Sequence, residues 1–321
     1  MENAATGAKG RQMTDFTSVG VVGAGLIGMS WTSLFLARGC AVTVVDPDTG
    51  ASDRLQAFLA TAWGNLTALG LTQSDEIPSC PVTNDYGCLQ GVQFVQENGP
   101  ERIAAKRAIL ADIENAVGAD VVIASSTSSL RASDMQADAQ VPQRILVAHP
   151  MNPPHLVPMV ELVSGSQTSE ETRATAERFY AQMRRVTIRV KREVPGHLAN
   201  RLTSALYREA VHLVAEGIAD VEDVDKAVAF GPGMRWAFMG PHLTYHLGGG
   251  EAGYRGYLDH LGPTQEARWT SLGTPALTEA VKAELIAGMT RELDQQDQST
   301  LIDRRDAALV ALTKLKLSFG L

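Results

Sequence analysis

Three glycines spaced as Gly23-x-Gly25-x-x-Gly28 directly follow the β-rich run Ser18–Val22 and open a helical stripe of Ile27, Trp31, Leu34 and Phe35. At a strand-to-helix junction this spacing serves phosphate binding. Gly23 permits the tight turn, Gly25 lets the backbone approach a pyrophosphate, and Gly28 lets helix and strand pack closely. Leu26 and Ile27 complete the turn, and the helix N-terminus offers N–H donors at the positive end of its dipole. Eighteen residues beyond Gly28, Asp46 ends the next β-rich run, where a carboxylate accepts hydrogen bonds from ribose hydroxyls and repels a 2′-phosphate. No Lys or Arg follows until Arg54, so the pattern predicts NAD over NADP.

A dinucleotide site makes hydride transfer possible, and oxidation of an alcohol then needs a base for the hydroxyl proton. Of seven histidines, His149 directly follows the apolar run Ile145–Ala148, at the carboxyl end of a predicted strand, where open α/β sheets hold ligands. His149-Pro-Met-Asn152-Pro-Pro leads into Leu156-Val-Pro-Met-Val-Glu161-Leu-Val, an apolar segment interrupted by one carboxylate. Buried alone, Glu161 is costly, and His149 is the nearest group to relieve that cost. An imidazole takes a proton near neutral pH, and a carboxylate on its other nitrogen fixes the tautomer and stabilises the imidazolium. By spacing alone the two residues read equally well as a core histidine and an edge-strand acid.

Strand-like runs at Ser18–Val22, Ala41–Val45, Gly91–Val95, Asp120–Ala124, Arg144–Ala148 and Val186–Val190 alternate with helical patterns. They predict an α/β fold with a Rossmann-type doubly wound sheet. The first helix is predicted over Leu26–Arg38, stopped by Gly39. After Val194, Pro195-Gly196 breaks the chain and helical periodicity dominates. Leu198, Leu202, Ala205, Leu206 and Leu213 form one stripe, and a charged amphipathic stretch runs from Thr278 to Lys316. The expected organisation is a flexible N-terminus over 1–15, an NAD-binding Rossmann domain over 16–194, and a smaller all-α domain over 195–321 for substrate binding and dimerisation. So small a helical domain leaves apolar surface for a second subunit to cover.

Composition narrows the classes of function. With 321 residues, 45% hydrophobic and 20% charged, the chain can bury a substantial core. Twenty-eight basic residues against 36 acidic ones give a net charge of −8, which disfavours nucleic acid and anionic membranes as partners. Cys40, Cys80 and Cys88 make no CxxC, and no apolar run nears the roughly 20 residues that span a bilayer or resembles a signal peptide. A cytoplasmic protein is expected. His242 and His246 stand four apart without a third ligand, so no metal is expected.

In order along the chain, Gly23-x-Gly25-x-x-Gly28, the stretch from Glu97 to Lys106, Ser125-Ser-Thr-Ser128-Ser129-Leu130, His149-Pro-Met-Asn152-Pro and Gly196-His-Leu-Ala-Asn200-Arg201-Leu202 resemble the 3-hydroxyacyl-CoA dehydrogenase superfamily. The resemblance covers nearly the whole chain. Ala148-His-Pro-Met-Asn-Pro-Pro154, Pro158-Met-Val-Glu-Leu-Val163 and Gly233-Met-Arg-Trp-Ala-Phe-Met-Gly240-Pro241 are most similar to the branch containing lambda-crystallin, an L-gulonate 3-dehydrogenase, with L-carnitine dehydrogenase next. The resemblance implies that His149 is the catalytic base and Glu161 its orienting partner. It implies hydrogen-bonding roles for Ser128 and Asn200 at the substrate oxygen and nicotinamide, and places Glu101 and Lys106 along the NAD site. By residue type alone, Ser128 is a turn residue, Asn200 a helix N-cap, Lys106 a solvent-facing lysine and Glu101 a first-turn acid.

Acyl-CoA members of the superfamily carry a lysine-rich helical segment after the second strand that helps hold the CoA phosphates. Here Asp46 to Asp85 contains one basic residue, Arg54, against six acids. A small free 3-hydroxy acid, L-gulonate-like, is therefore the expected substrate, oxidised to the 3-keto acid. L-Carnitine, a short 3-hydroxyacyl-CoA, and an NAD-binding structural protein of crystallin type are the alternatives. Arg201 and Arg235 are candidates for the substrate carboxylate, Arg235 foremost because it sits in a glycine-bounded loop. Trp236, with Phe238, Tyr245 and Trp269, is a candidate for the aromatic faces that a quaternary ammonium seeks.

Overall fold

A computed structural model describes residues 15–294 and 296–321, so the expected N-terminal segment lies, apart from Asp15, outside the described residues. The chain divides into two compact units, the first ending at His197 and the second comprising Leu198–Leu321.

The first unit is built on eight strands: β1 (Ser18–Val22), β2 (Ala41–Val45), β3 (Val82–Thr83), β4 (Phe94–Glu97), β5 (Val122–Ser125), β6 (Ile145–Pro150), β7 (Met159–Ser164) and β8 (Val186–Val190). Between them run α1 (Leu26–Ala37), α2 (Ala51–Ala68), α3 (Ile103–Ala116), α4 (Ala132–Gln136) and α5 (Glu170–Gln182). The strands form one sheet in the order β3-β2-β1-β4-β5-β6-β7-β8. Pairings are parallel except β6 with β7. The chain winds outward from β1 through β2 to β3, then crosses to β4 on the other side of β1. This reversal opens a crevice at the carboxyl ends of β1 and β4, the usual ligand position in such sheets.

The bounds of β1, β2 and β8 are those expected from sequence, whereas three other strands are displaced. The run at Gly91–Val95 becomes Phe94–Glu97 because Gly91 turns with φ 85°, and because Gln96 and Glu97, both polar, continue the strand fully buried. Likewise β5 begins later than Asp120, and β6 extends through His149 and Pro150 because β7 pairs with them. The two-residue β3 was not expected as a strand, and β7 entered only through the reading of Glu161 as an edge-strand acid, whereas it lies inside the sheet between β6 and β8. In β7 the acid Glu161 breaks an apolar run, and pairing with β6 decides its conformation.

One face of the sheet is sealed by an aromatic cluster. Phe94 stacks on Phe179 of α5 with ring centroids 3.8 Å apart, Phe179 meets Phe35 of α1 at 5.2 Å, and Phe35 stacks on Trp31 at 5.3 Å. A polar chain leads from this cluster to the strand ends. The Tyr180 hydroxyl donates to Gln96 Oε1 at 2.5 Å, Gln96 Nε2 donates to Ser126 Oγ at 2.9 Å, and Ser126 donates to Asn98 Oδ1 at 2.7 Å. Trp31 Nε1 adds a bond to Ser126 at 3.1 Å. Thus α1 fixes the loops that follow β4 and β5.

The second unit contains α6 (Ala199–Ala215), α7 (Val221–Phe230), α8 (Pro232–Trp236), α9 (Pro241–Gly248), α10 (Gly253–Ser271), α11 (Glu279–Leu293) and α12 (Gln298–Ser318). The stretch Thr278–Lys316, read from sequence as one amphipathic segment, is two helices. A small core of Val214, Val221 and Val224 gathers Leu213 and Leu285 around it. Leu202 is 65% exposed and Leu198 and Leu206 are also exposed, so among the described residues of this unit most of the predicted stripe is not part of its core. Among the described residues no helix is long and apolar enough to cross a membrane.

Replacing Phe179 by Ala removes a fully buried ring through which α5 meets α1 and the sheet, and is expected to cost about 3–5 kcal/mol. Urea unfolding of the variant beside the wild type measures this, and a loss below ~1 kcal/mol would contradict the packing described.

Candidate active site

At the end of β1 the three glycines do different work. Gly23 has φ 93°, and a Cβ there would meet Asn98 O at 2.8 Å; a Cβ on Gly28 would lie 1.8 Å from Gly23 O. A Cβ on Gly25 would meet nothing within 4 Å, so the N-terminus of α1 faces open space. Leu26 is exposed there and Ile27 is half-buried. Asp46 follows β2. Its Oδ2 accepts from Ala24 N at 2.6 Å and its Oδ1 from Asp48 N at 2.8 Å, which joins the acid to the glycine loop. Arg54 is paired with Asp48 at 3.0 Å. An open helix N-terminus beside a carboxylate, with the nearby arginine already engaged, fits NAD.

Beneath this loop, Lys106 of α3 is 1% exposed, contrary to the solvent-facing reading of its residue type. Its Nζ donates to Glu97 Oε1 and Oε2 at 2.9 and 2.8 Å and to Gly99 O at 2.9 Å. Ser125 Oγ donates to the same carboxylate at 2.5 Å. Lys106 therefore braces the loop after β4 through Glu97, a buried acid that sequence reading did not single out as a site residue. Glu101 is not a first-turn acid, since α3 starts at Ile103. Its Oε1 accepts from Thr127 Oγ1 at 2.6 Å, from Ser128 and Ser129 N at 2.9 Å each, and from the Ser128 and Ser129 hydroxyls at 3.3 and 2.9 Å. Partial burial pushes the Glu101 pKa up, but these bonds from Thr127 and Ser129, with the Lys106 charge, outweigh it and hold the carboxyl below its ordinary range.

His149 and Glu161, twelve apart in sequence, stand directly opposite in the antiparallel β6–β7 ladder. Paired residues project to the same face of a sheet, and here His149 Nδ1 lies 2.8 Å from Glu161 Oε2. The acid is 0% exposed and the imidazole 6%. With Nδ1 directed to the carboxylate, Nε2 is the nitrogen available for proton exchange. The loop after β6 is clamped from two sides. Ser30 Oγ of α1 accepts from His155 N at 2.9 Å and bonds His155 Nδ1 at 2.7 Å. Arg185 donates from Nη1 to Pro154 O at 3.0 Å and Val157 O at 3.4 Å. Burial, with Arg38 nearby, lowers the Arg185 pKa to about 10. Neither His155 nor Arg185 carried a signal in the sequence, because their partners are backbone atoms or residues far away along the chain.

A second imidazole, His197, packs near the first with ring centroids 5.3 Å apart. It too escaped sequence reading, although its position after Pro195-Gly196 is a break at which an unusual backbone is expected.

In the second unit, Asn200 is half-buried in the first turn of α6, whose N-cap is Leu198, so Asn200 is not the cap. Arg235 and Trp236 are exposed at the end of α8; the glycine-bounded loop expected around Arg235 is instead a short helix started by Pro232. His242 Nδ1 bonds the Tyr254 hydroxyl at 2.8 Å, and His246 Nδ1 accepts from Tyr254 N at 3.1 Å. Tyr245 stacks on Tyr257 at 4.3 Å.

The dinucleotide cradle, the topological switch and the imidazole–carboxylate pair together define an NAD-dependent oxidoreductase acting on a CH–OH group. Residues 18–194 match the 3-hydroxyacyl-CoA dehydrogenase NAD binding domain, and residues 196–286 match the C-terminal domain of the same enzymes. The chain belongs to the 3-hydroxyacyl-CoA dehydrogenase family. It is 43% identical over 297 residues to an L-carnitine dehydrogenase of Streptomyces coelicolor, covering 92% of this chain and 93% of that one. It is equally similar to an L-carnitine dehydrogenase of Streptomyces griseus, across 92% and 89% of the two chains. Among solved structures, the NAD-dependent 5-formyl-3-hydroxy-2-methylpyridine 4-carboxylic acid 5-dehydrogenase superposes with a TM-score of 0.80 at 27% identity, covering 94% of this chain and 98% of that one.

Two outcomes test this geometry. Lys106→Met leaves the buried Glu97 carboxylate unpaired and is expected to destabilise the fold by about 3–5 kcal/mol in urea unfolding, with a loss under ~1 kcal/mol counting against the bracing role. For Glu101, the folded pKa lies below the unfolded one, so its stabilising hold is complete above the ordinary carboxylate range and disappears as pH falls through the lower folded value. The Ser128 and Ser129 amides should accordingly be protected from hydrogen exchange at neutral pH and lose that protection in acid.

Proposed function

We propose that the chain is an L-carnitine 3-dehydrogenase that oxidises the 3-hydroxyl of the free amino acid derivative to the ketone with NAD. The similarity to L-carnitine dehydrogenases across nine-tenths of the chain supports this reading over the L-gulonate-like substrate expected first. The acid-rich segment from Asp46 to Asp85, with Arg54 already paired to Asp48, supports a substrate without the phosphates of CoA. Trp236, Tyr245 and Trp269, exposed in the second unit, are candidate aromatic faces for a trimethylammonium group, and Arg235 remains a candidate for the carboxylate.

The observation that carries the mechanism is the 2.8 Å contact between buried His149 and Glu161. When bound, NAD supplies the two-electron acceptor. His149 Nε2 takes the hydroxyl proton, and Glu161 holds the Nδ1–H tautomer and stabilises the resulting imidazolium. Ser128 and Asn200 orient the substrate oxygen and the nicotinamide, Gly23, Gly25, Leu26, Ile27, Gly28 and Asp46 hold the dinucleotide, and Glu101, with Lys106 beneath, shapes the loop that borders it. The enzyme acts as a homodimer joined through its helical unit, supported by the exposure there of Leu202, Phe230, Leu247 and Trp269. A cytoplasmic setting accords with its three free cysteines.

His149→Gln is expected to lower kcat by about 10²–10⁴ while NAD affinity is retained; undiminished turnover would remove the mechanism. In a substrate panel followed by NADH absorbance, L-carnitine should give the highest kcat/KM, ahead of L-gulonate, 3-hydroxybutyrate and 3-hydroxybutyryl-CoA, and NAD should outperform NADP. A CoA ester turned over better than L-carnitine would overturn the substrate assignment. Light scattering after gel filtration should return twice the 34.3 kDa chain mass.

A further inference from the structure

His197 is 2% exposed, and its Nδ1 is a buried nitrogen with no hydrogen-bond partner among the described residues. The opposite ring nitrogen, Nε2, lies 3.3 Å from Thr127 O. A carbonyl only accepts, so Nε2 carries the hydrogen and Nδ1 presents a lone pair. The backbone at His197 is left-handed, with φ 49°, directly after Gly196 at φ 76°. For a residue with a side chain that conformation is strained and persists only where the surroundings impose it, most often at functional sites. The surroundings here belong to the site already described. Thr127 bonds Glu101 through its hydroxyl, and the His149 ring lies 5.3 Å away at a tilt of 47°.

The groups acting electrostatically on His197 are His149, Glu161 and Glu101. Burial lowers its pKa, against the opposing pull of the Thr127 carbonyl, and the neighbouring His149 lowers it further, so the neutral form with one donor and one acceptor is favoured. A buried lone pair left without a donor is costly, and none of the described residues provides one.

We propose that His197 Nδ1 is a recognition atom of the active site, accepting a hydrogen bond from an uncharged amide N–H that arrives with the bound dinucleotide. The proposal rests on the reading of His149 as the base of an NAD-dependent dehydrogenase. His149 Nε2 receives the reacting hydroxyl, the one polar hydrogen of L-carnitine, so His197 reads the amide N–H of the nicotinamide carboxamide. His197 thereby favours ligands that carry such a donor over otherwise similar ones that lack it.

Three variants test this. His197→Phe keeps a ring and removes the acceptor. His197→Asn places an amide oxygen at the position of Nδ1. His197→Gly removes the acceptor while adopting the left-handed backbone freely, which covers the case in which the Phe variant does not fold. NAD affinity is measured by quenching of tryptophan fluorescence without substrate, and kcat and KM for L-carnitine at saturating NAD. Loss of the acceptor should cost about tenfold, largely restored by Asn. A rise in the NAD dissociation constant is the expected result, and a loss confined to kcat/KM for L-carnitine, with NAD affinity unchanged, would count against the proposal. Wild-type NAD affinity and kcat/KM in a folded Phe or Gly variant would overturn the proposal, leaving a resident water as the partner of Nδ1. If the wild-type enzyme prefers another hydroxy acid, the L-carnitine reading fails by itself, and the same kinetics are read on that substrate.

Discussion

A carboxylate removed entirely from water needs a partner, and for Glu161 that partner is an imidazole on the adjacent antiparallel strand. The constraint reaches well beyond the pair. A slip of one residue in the β6–β7 register would send either side chain to the opposite face of the sheet, so the ladder from Leu146–Ser164 to Pro150–Val160 sets the chemistry as well as the fold. It also accounts for the single antiparallel pairing in an otherwise parallel sheet. A parallel crossover would need a dozen or more residues, whereas a short loop brings β7 back beside β6 with the acid facing the base. The same loop is then fixed by Ser30 below and by Arg185 through backbone carbonyls.

A second buried charge system supports the cofactor side. Lys106 and Glu97 compensate one another in the interior, and Lys106 also ties down Gly99 O, stiffening the turn that follows β4. Glu101 uses its exposed carboxylate differently, gathering the hydroxyls of residues 127–129 and the amides of Ser128 and Ser129 into one cluster. Thr127 belongs to both sides of the site. Its hydroxyl faces Glu101, and its carbonyl faces His197, whose ring lies beside the base. Groups on the cofactor side and on the proton-transfer side thus share one short loop after β5.

Residue spacing was informative wherever the chemistry is local. The glycine turn, the acid closing β2, and the helix behind them lie within a few tens of residues and obey one strand-to-helix geometry, so their relation can be read without coordinates. His149 was legible because an apolar run points to a strand end. Glu97, Arg185 and His197 were not, for three different reasons. A polar residue at the end of a strand looks like the end of the strand; an arginine bonded to carbonyls leaves no complementary charge to search for; and a left-handed histidine has no compositional mark. Arg235 shows the converse error, since glycine and proline around it signalled a loop where Pro232 in fact starts a helix.

The amino-acid sequence by itself determined the alternation of six of the strands with helices, the phosphate-binding turn, the match to NAD and the family, because each depends on residue types at short and regular separations. Only the tertiary structure decided that β7 runs back along β6, that Glu161 lies against His149, that Lys106 is enclosed, and that a second imidazole stands beside the base. Those relations join residues 9 to 70 positions apart through strand register and burial, which are settled when the whole sheet closes over its core and not by any single segment.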